Sequence, residues 1–401
     1  WETTISRNFG IDFGFLNNRV NGSLEVYWNT TKDLLMAVPV DNTTGYSYQF
    51  QNFGKTSNRG IELSVNVDVI NKGDFRFNVG AIYNYNRNKL DELPNADQYL
   101  YSSYWGSSSL VPTNDYMFVE GKAIGLVRGF ISEGYYTVDD FNYTNGQYVL
   151  KEGVPDITKA LTATYMHPYD LPAGQTAFPG AAKFRDVDES GTVDLDDATC
   201  LGEVMPRHTG SFQLNFNYKN FDLSTNFNWT AGGKVYNVAA MINASGQEFD
   251  GIGAQRASWV ADAFKVYNVN AAGDLYAVTN PDELRALNAN AKYHLPYHQS
   301  GITSSEWLEN GSYLRLQTLT LGYTLPKNWL TKVHVDKIRL YLTATNLFTI
   351  TGYSGIDPEV NANPTGQSGF YSDLRIFPTL NMDFGTYPRA RTFTFGANIT
   401  F

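Results

Sequence analysis

The chain has 401 residues, a net charge of −10 and a pI near 5.0, and this acidic balance excludes nucleic acid as a partner, which calls for a clustered cationic surface. Aromatic residues make up 15% of the chain, with 27 Tyr and 25 Phe, against 17% charged, a composition suited to strands with aromatic girdles and polar loops. A mean hydropathy of −0.32 and the lack of any apolar run of about 18 residues exclude a helical membrane protein, but leave a β-barrel open, because lumen-facing residues cancel lipid-facing ones.

In chain order, apolar residues recur with the period of two that a strand between lipid and water needs. Ile5, Phe9, Ile11, Phe13 and Phe15 alternate with Ser6, Asn8, Gly10, Asp12 and Gly14, and Val20, Gly22, Leu24, Val26 and Trp28 follow the same rule. Ile61, Leu63, Val65, Val67 and Val69 alternate with Glu62, Ser64, Asn66 and Asp68, where two carboxylates require a wet side. Phe75 to Tyr85, Phe212 to Tyr218, Phe221 to Trp229 and Ile338 to Ala344 continue the pattern. Tyr313 to Leu325 changes phase near Gln317 and Thr318, which predicts a bulge. The terminal segment from Arg391 sets Phe393, Phe395, Ala397, Ile399 and Phe401 against Thr392, Thr394, Gly396, Asn398 and Thr400.

The connections alternate in length. Short turns are predicted at Asn17 to Arg19, Ile70 to Asp74, Lys219 to Asn220 and Pro326 to Lys337, and long segments at Asn29 to Arg59, Asn86 to Gly210, Thr230 to Gly311 and Leu347 to Arg389. Short turns on one side and long loops on the other are the layout of a membrane barrel; a soluble sandwich has no reason to segregate them. About nine strands result, an odd number, whereas bacterial single-chain barrels have even counts. Trp1 opens into a polar segment with neither an initiator Met nor an apolar leader. The expectation is an all-β chain, the C-terminal part of a larger transmembrane antiparallel β-barrel with long extracellular loops.

One segment carries metal chemistry. Residues 186–197 match the spacing of an EF-hand calcium loop: oxygen ligands from Asp186, Asp188, Ser190, the Thr192 carbonyl, Asp194 (directly or through water) and Asp197, with Gly191 at the sharp turn and Val193 anchoring inward. Asp197 stands where the EF-hand has a bidentate Glu. A solvated acidic turn has the same composition, but its crowded carboxylates repel one another without a cation, which favours Ca²⁺ as a stiffener of the loop.

Other candidates are weaker. His167, His208, His294, His298 and His334 form neither HExxH nor a Cys/His cluster, and Pro296 works against a helix that would align His294 with His298. Cys200 has no partner for an internal disulfide. No nucleophile elbow, phosphate loop or placed acid–base pair appears, so catalysis is not expected. Tyr101, Tyr104, Trp105 and Trp259 in the long segments suit either stacking on a ligand or packing the loops together.

The runs NGSYLRLQTLTLGYTLP (Asn310 to Pro326), RLYLTATNLFTITGYSGIDPEVN (Arg339 to Asn361) and RTFTFGANITF (Arg391 to Phe401) resemble the C-terminal signature of SusC/RagA-type TonB-dependent transporters. The opening stretch Asn8 to Leu35 is similar to a mid-barrel segment of that family, and the acidic loop also has a counterpart there. The resemblance spans residues 1–401 and implies a plugged barrel of about 22 strands in the outer membrane of a Gram-negative bacterium. It implies, too, a SusD-type surface lipoprotein as roof, TonB–ExbB–ExbD acting through an N-terminal region, and active import of oligosaccharides or peptides. The plug and TonB box have no counterpart in these residues. A passive porin or adhesin barrel is the alternative, and a soluble glycan-binding or glycan-cleaving β-protein a third reading, which the matching phase of the strands disfavours.

Overall fold

The computed structural model describes the chain except for residues 40–41, 47, 53, 94–97, 104–109, 163–166, 246–256, 296–300, 331–334 and 361–379. Of the residues singled out above, Tyr104, Trp105, Pro296, His298 and His334 lie outside the described residues.

Among the described residues one large sheet dominates, of nine strands in sequence order. They are β1 (Thr3–Phe15), β2 (Val20–Lys32), β3 (Lys55–Lys72), β4 (Phe75–Glu92), β5 (His208–Tyr218), β6 (Phe221–Ala231), β7 (Tyr313–Thr324), β8 (Lys337–Thr351) and β9 (Thr392–Thr400). Every neighbouring pair is antiparallel. The short connections, 16–19, 73–74, 219–220 and 325–336, therefore share one end of the sheet, and the long ones, 33–54, 93–207, 232–312 and 352–391, share the other.

Register turns the alternation of each strand into a property of the whole sheet. Phe15, Val20, Val67, Val79, Leu214, Thr225, Leu319, Ala344 and Phe393 stand opposite one another from β1 to β9. The next row, on the other face, reads Gly14, Asn21, Asn66, Gly80, Gln213, Asn226, Thr318, Thr345 and Thr392. Thr225 is the one polar member of the apolar row, and it is buried, with its hydroxyl donating to the Leu214 carbonyl. A slip of one residue in any strand would reverse its faces, so the unbroken rows fix the register.

The apolar face is exposed. Phe9, Ile11, Phe393 and Phe395 are each at least half exposed. A large apolar side chain left in water forgoes about 1.5–3 kcal/mol, which a water-soluble protein does not sustain across a whole sheet. Aromatic rings bound this face at both ends. Phe75, Tyr218, Phe221 and Tyr323 share a row beside the short turns, and Tyr83, Tyr85 and Trp229 lie toward the long connections. The ten steps from Phe75 to Tyr85 rise about 33 Å along β4, or about 25 Å at a barrel strand's usual tilt, the height of an outer-membrane apolar band.

Strand ends differ from the sequence expectation: β2 reaches Lys32, β3 begins at Lys55 and β8 reaches Thr351. β3 continues to Lys72 through a register shift between Asp68 and Ile70, so the turn is Gly73 and Asp74 rather than Ile70 to Asp74. β4 also runs on to Glu92, still paired with β3, because the hairpin extends past the apolar belt, where alternation no longer marks a strand. The predicted bulge is present: pairing shifts between Leu316 and Thr318 against both β6 and β8. On the polar face the Tyr341 ring covers Gly396 so closely that a β-carbon there would fall 2.4 Å from the ring, so any larger residue would have to displace the ring.

The long connections fold together into a cap with its own core. Phe130, Tyr136, Tyr148, Phe178, Phe264 and Ile302 belong to one buried cluster, Tyr116, Tyr236, Met241, Trp259, Trp307 and Met382 to another. The first cluster joins the connections 93–207 and 232–312, and the second joins these two to 352–391. Short strands in 93–207 pair among themselves, as in the four-stranded sheet of Gln98–Tyr101, Tyr116–Val119, Leu126–Gly129 and Thr199–Glu203, and none joins the nine-stranded wall. Arg315 of β7, nearly fully buried, pairs with Asp357 and with Glu359 (3.2 Å), and Glu359 also meets Arg389 (2.6 Å), which ties the last connection to the wall.

Candidate functional site

The acidic loop lies in the cap and is built by local constraints. Gly191 has φ +86°, a conformation that only glycine adopts without strain, and Glu189 also enters the left-handed region at φ +59°. That path turns backbone N–H groups toward the first carboxylates. Asp186 accepts from Ser190 N (3.1 Å) and Gly191 N (2.7 Å), and Asp188 accepts from Ser190 N (3.0 Å). Val193 is fully buried in the cap core, as its inward role predicts, and Thr192–Val193 pairs in parallel with Asp156–Ile157.

The loop closes on Asp197. This carboxylate is 1% exposed and accepts from Val187 N and Asp188 N through one oxygen and from Asp194 N (2.8 Å) through the other. Asp197 thus staples the end of the loop to its beginning. Oxygens of Asp186, Asp188 and Asp197 lie within 4.8 Å of one another, and among the described residues no other group of three or more His, Cys, Asp or Glu converges in this way. Asp194 stands outside the trio, its side chain capping the following turn by accepting from Asp196 N (2.8 Å). Ser190 Oγ donates to the Thr192 carbonyl (3.0 Å), which places these two neutral oxygens side by side in the loop. Hydrogen bonds from Ser190 hold the Asp188 carboxyl below the usual carboxylate range. Like charges at this separation repel by about 1 kcal/mol per pair even in watery surroundings. The residues that could hold a cation here are Asp186, Asp188 and Asp197 as anionic ligands, with Ser190 and Thr192 as neutral ones.

The described histidines occupy separate places. His167 stacks on Phe178 at 4.0 Å, His208 bonds Tyr83 Oη on the wall (2.8 Å), and His294 is buried in the cap. Tyr101 packs against Phe118 at 4.7 Å inside the cap core. Trp259 stacks on Tyr293 at 3.9 Å and also lines a cavity with Glu306 and Trp307. Sequence reading missed Tyr293, Glu306 and Trp307, which carry no spacing signal and meet only through the fold.

With this geometry in place, known proteins offer a comparison. The model of the family described as "TonB dependent receptor-like, beta-barrel" matches residues 1–347. TonB-dependent receptor P3 of Formosa agariphila is 30% identical over 402 residues, covering 100% of this chain and 34% of the relative. TonB-dependent receptor SusC of Bacteroides thetaiotaomicron is 26% identical over 411 residues, covering 100% of this chain and 32% of the relative. Among solved structures, the RagAB peptide transporter superposes with a TM-score of 0.65 at 22% identity, over 100% of this chain and 36% of that one. The chain spans about a third of the length of the curated relatives it matches. It belongs to the TonB-dependent receptor β-barrel family.

Proposed function

We propose that this chain is the C-terminal barrel part of an outer-membrane active transporter that imports oligosaccharides or peptides in a Gram-negative bacterium. The observation that carries the reading is the two-faced sheet: nine strands in register, apolar outward and polar inward, with all four long connections at one end of the sheet. In this reading the outer rows of β1 to β9 face lipid, the polar rows line the lumen, and further strands complete the barrel beyond the edges of β1 and β9. The cap is the extracellular vestibule, roofed by a SusD-type lipoprotein, and TonB–ExbB–ExbD supplies energy through an N-terminal plug region.

Uptake by cells carrying the full-length protein tests the reading. The expected result is accumulation that a protonophore or loss of TonB abolishes. Uptake indifferent to both would overturn it in favour of a passive porin, and no uptake together with cell-surface binding would favour an adhesin.

Calcium at residues 186–197 is part of the proposal and stiffens the vestibule. Asp188→Ala should lower bound calcium and increase proteolysis of the loop, leaving the barrel assembled. Unchanged calcium content by elemental analysis would remove the ion from the account.

A further inference from the structure

The cap contains a cavity of about 160 Å³ bordered by Trp259, Tyr293, Glu306, Trp307, Glu309 and Ser354. Its two carboxylates are in opposite situations. Glu309 is fully engaged: Oε1 accepts from Asn237 Nδ2 (2.7 Å) and Ser354 Oγ (2.7 Å), and Oε2 accepts from Ser354 N (2.7 Å). Glu306 has no hydrogen-bond donor among the described residues, and its nearest basic group is His294 Nε2 at 3.9 Å. Burial depresses the His294 pKa to about 4, so this ring is neutral at neutral pH and supplies no countercharge. The same burial raises the Glu306 pKa to about 7, reflecting a carboxylate that faces a cavity without compensation.

The aromatic wall makes that missing charge matter. Trp259 stacks on Tyr293 at 3.9 Å and meets Trp307 at 5.3 Å, an apolar side that lowers the screening around Glu306, whose side chain keeps 23% of its surface exposed. A volume of about 160 Å³ gives room for an ammonium or guanidinium with its last methylenes. A neutral sugar hydroxyl would leave the charge of Glu306 uncancelled.

We propose that this cavity is a subsite for a cationic side chain, the ammonium of lysine or the guanidinium of arginine on an imported peptide, with Glu306 as its counter-ion. The assignment rests on the transporter reading and narrows its substrate toward basic peptides. Trp259 and Trp307 wall one side of the ion pair, and Glu309, fixed by Asn237 and Ser354, holds the rim.

Calorimetry on the full-length transporter with its lipoprotein tests this, using N-acetyl-Gly-Lys-Gly-amide, the same peptide acetylated on lysine Nζ, and maltotriose. The lysine peptide should bind at least about tenfold tighter than its acetylated twin, the scale of one charged hydrogen bond, and Glu306→Gln should erase the preference. Equal binding of the two peptides by the unmodified protein overturns the subsite, whatever the variant does. A preference that survives in Glu306→Gln, tighter binding of maltotriose than of the lysine peptide, or no binding by either peptide at millimolar concentration overturns it too. Heat-modifiable migration of the same preparation reports the barrel separately, so a failed subsite in an assembled barrel leaves the transporter reading standing.

Discussion

Phe395 in β9 is 74% exposed, while Phe130 in the cap is fully buried, and the two illustrate opposite rules within one chain. In the wall the aromatic and aliphatic residues point away from the protein and the amides and hydroxyls point in. In the cap, Phe130, Tyr136, Tyr236 and Trp307 are sealed from solvent as in any water-soluble protein. The difference is in the solvent. Hydrocarbon does not penalise an apolar surface, so the wall depends on backbone hydrogen bonding between strands, whereas the cap stands in water and depends on burial.

Truncation inside the cap should show the largest effect. Phe130→Ala removes a ring packed against Phe184 at 5.5 Å and is expected to cost about 3–5 kcal/mol, seen as faster amide exchange throughout the cap in a barrel that still migrates as folded. Loss of the barrel together with the cap would show that the two regions are not separately stabilised.

On the wall the sensitivity reverses, because adding charge matters more than removing bulk. Leu342→Arg in the outward row of β8 is expected to destabilise the barrel by about 2–4 kcal/mol in lipid vesicles, measured by denaturant titration. A cost of only a few tenths would place Leu342 against water or protein and break the comparison.

The smallest predicted effect depends on pH and belongs to the cap alone. Glu306 has a native pKa of about 7 against an ordinary value of 4.5, so between these the native state holds the proton that the unfolded state releases. Its contribution is therefore fully present below about pH 4.5 and is lost as pH rises through 7. Relative to the unmodified protein, Glu306→Gln should gain about 1–3 kcal/mol in cap stability between pH 4.5 and pH 8, read from thermal melts at the two pH values. A difference between the two proteins that does not change with pH would place Glu306 in ordinary solvent.

Much of the wall was legible because its determinants are local. The two-residue period appears in each strand separately, the bulge at Gln317 appears as a phase change, and the segregation of short and long connections follows from the gaps between strands. The acidic loop was legible for the same reason, since Gly191, Val193 and the carboxylates are set by spacing over a single turn. What spacing did not reveal was that Asp197 staples the loop and that Asp194 caps the next turn. The cap was illegible because its contacts are distant in sequence: Tyr116 Oη bonds the Leu380 carbonyl, and Tyr236 bonds Thr303. The pairing of Arg315 with Asp357 and the isolation of Glu306 likewise exist only once separate connections are folded together.

If the sheet divides lipid from water along every strand, β8 should show it clearly, because described strands flank it on both sides. With Cys200 replaced by serine, single nitroxide labels at positions 338 to 345 would be scanned in lipid vesicles by electron paramagnetic resonance. Labels at Ile338, Leu340, Leu342 and Ala344 should collide preferentially with oxygen, and those at Arg339, Tyr341, Thr343 and Thr345 with a water-soluble nickel complex. Accessibility without that two-residue alternation, or with its phase reversed, would contradict the account.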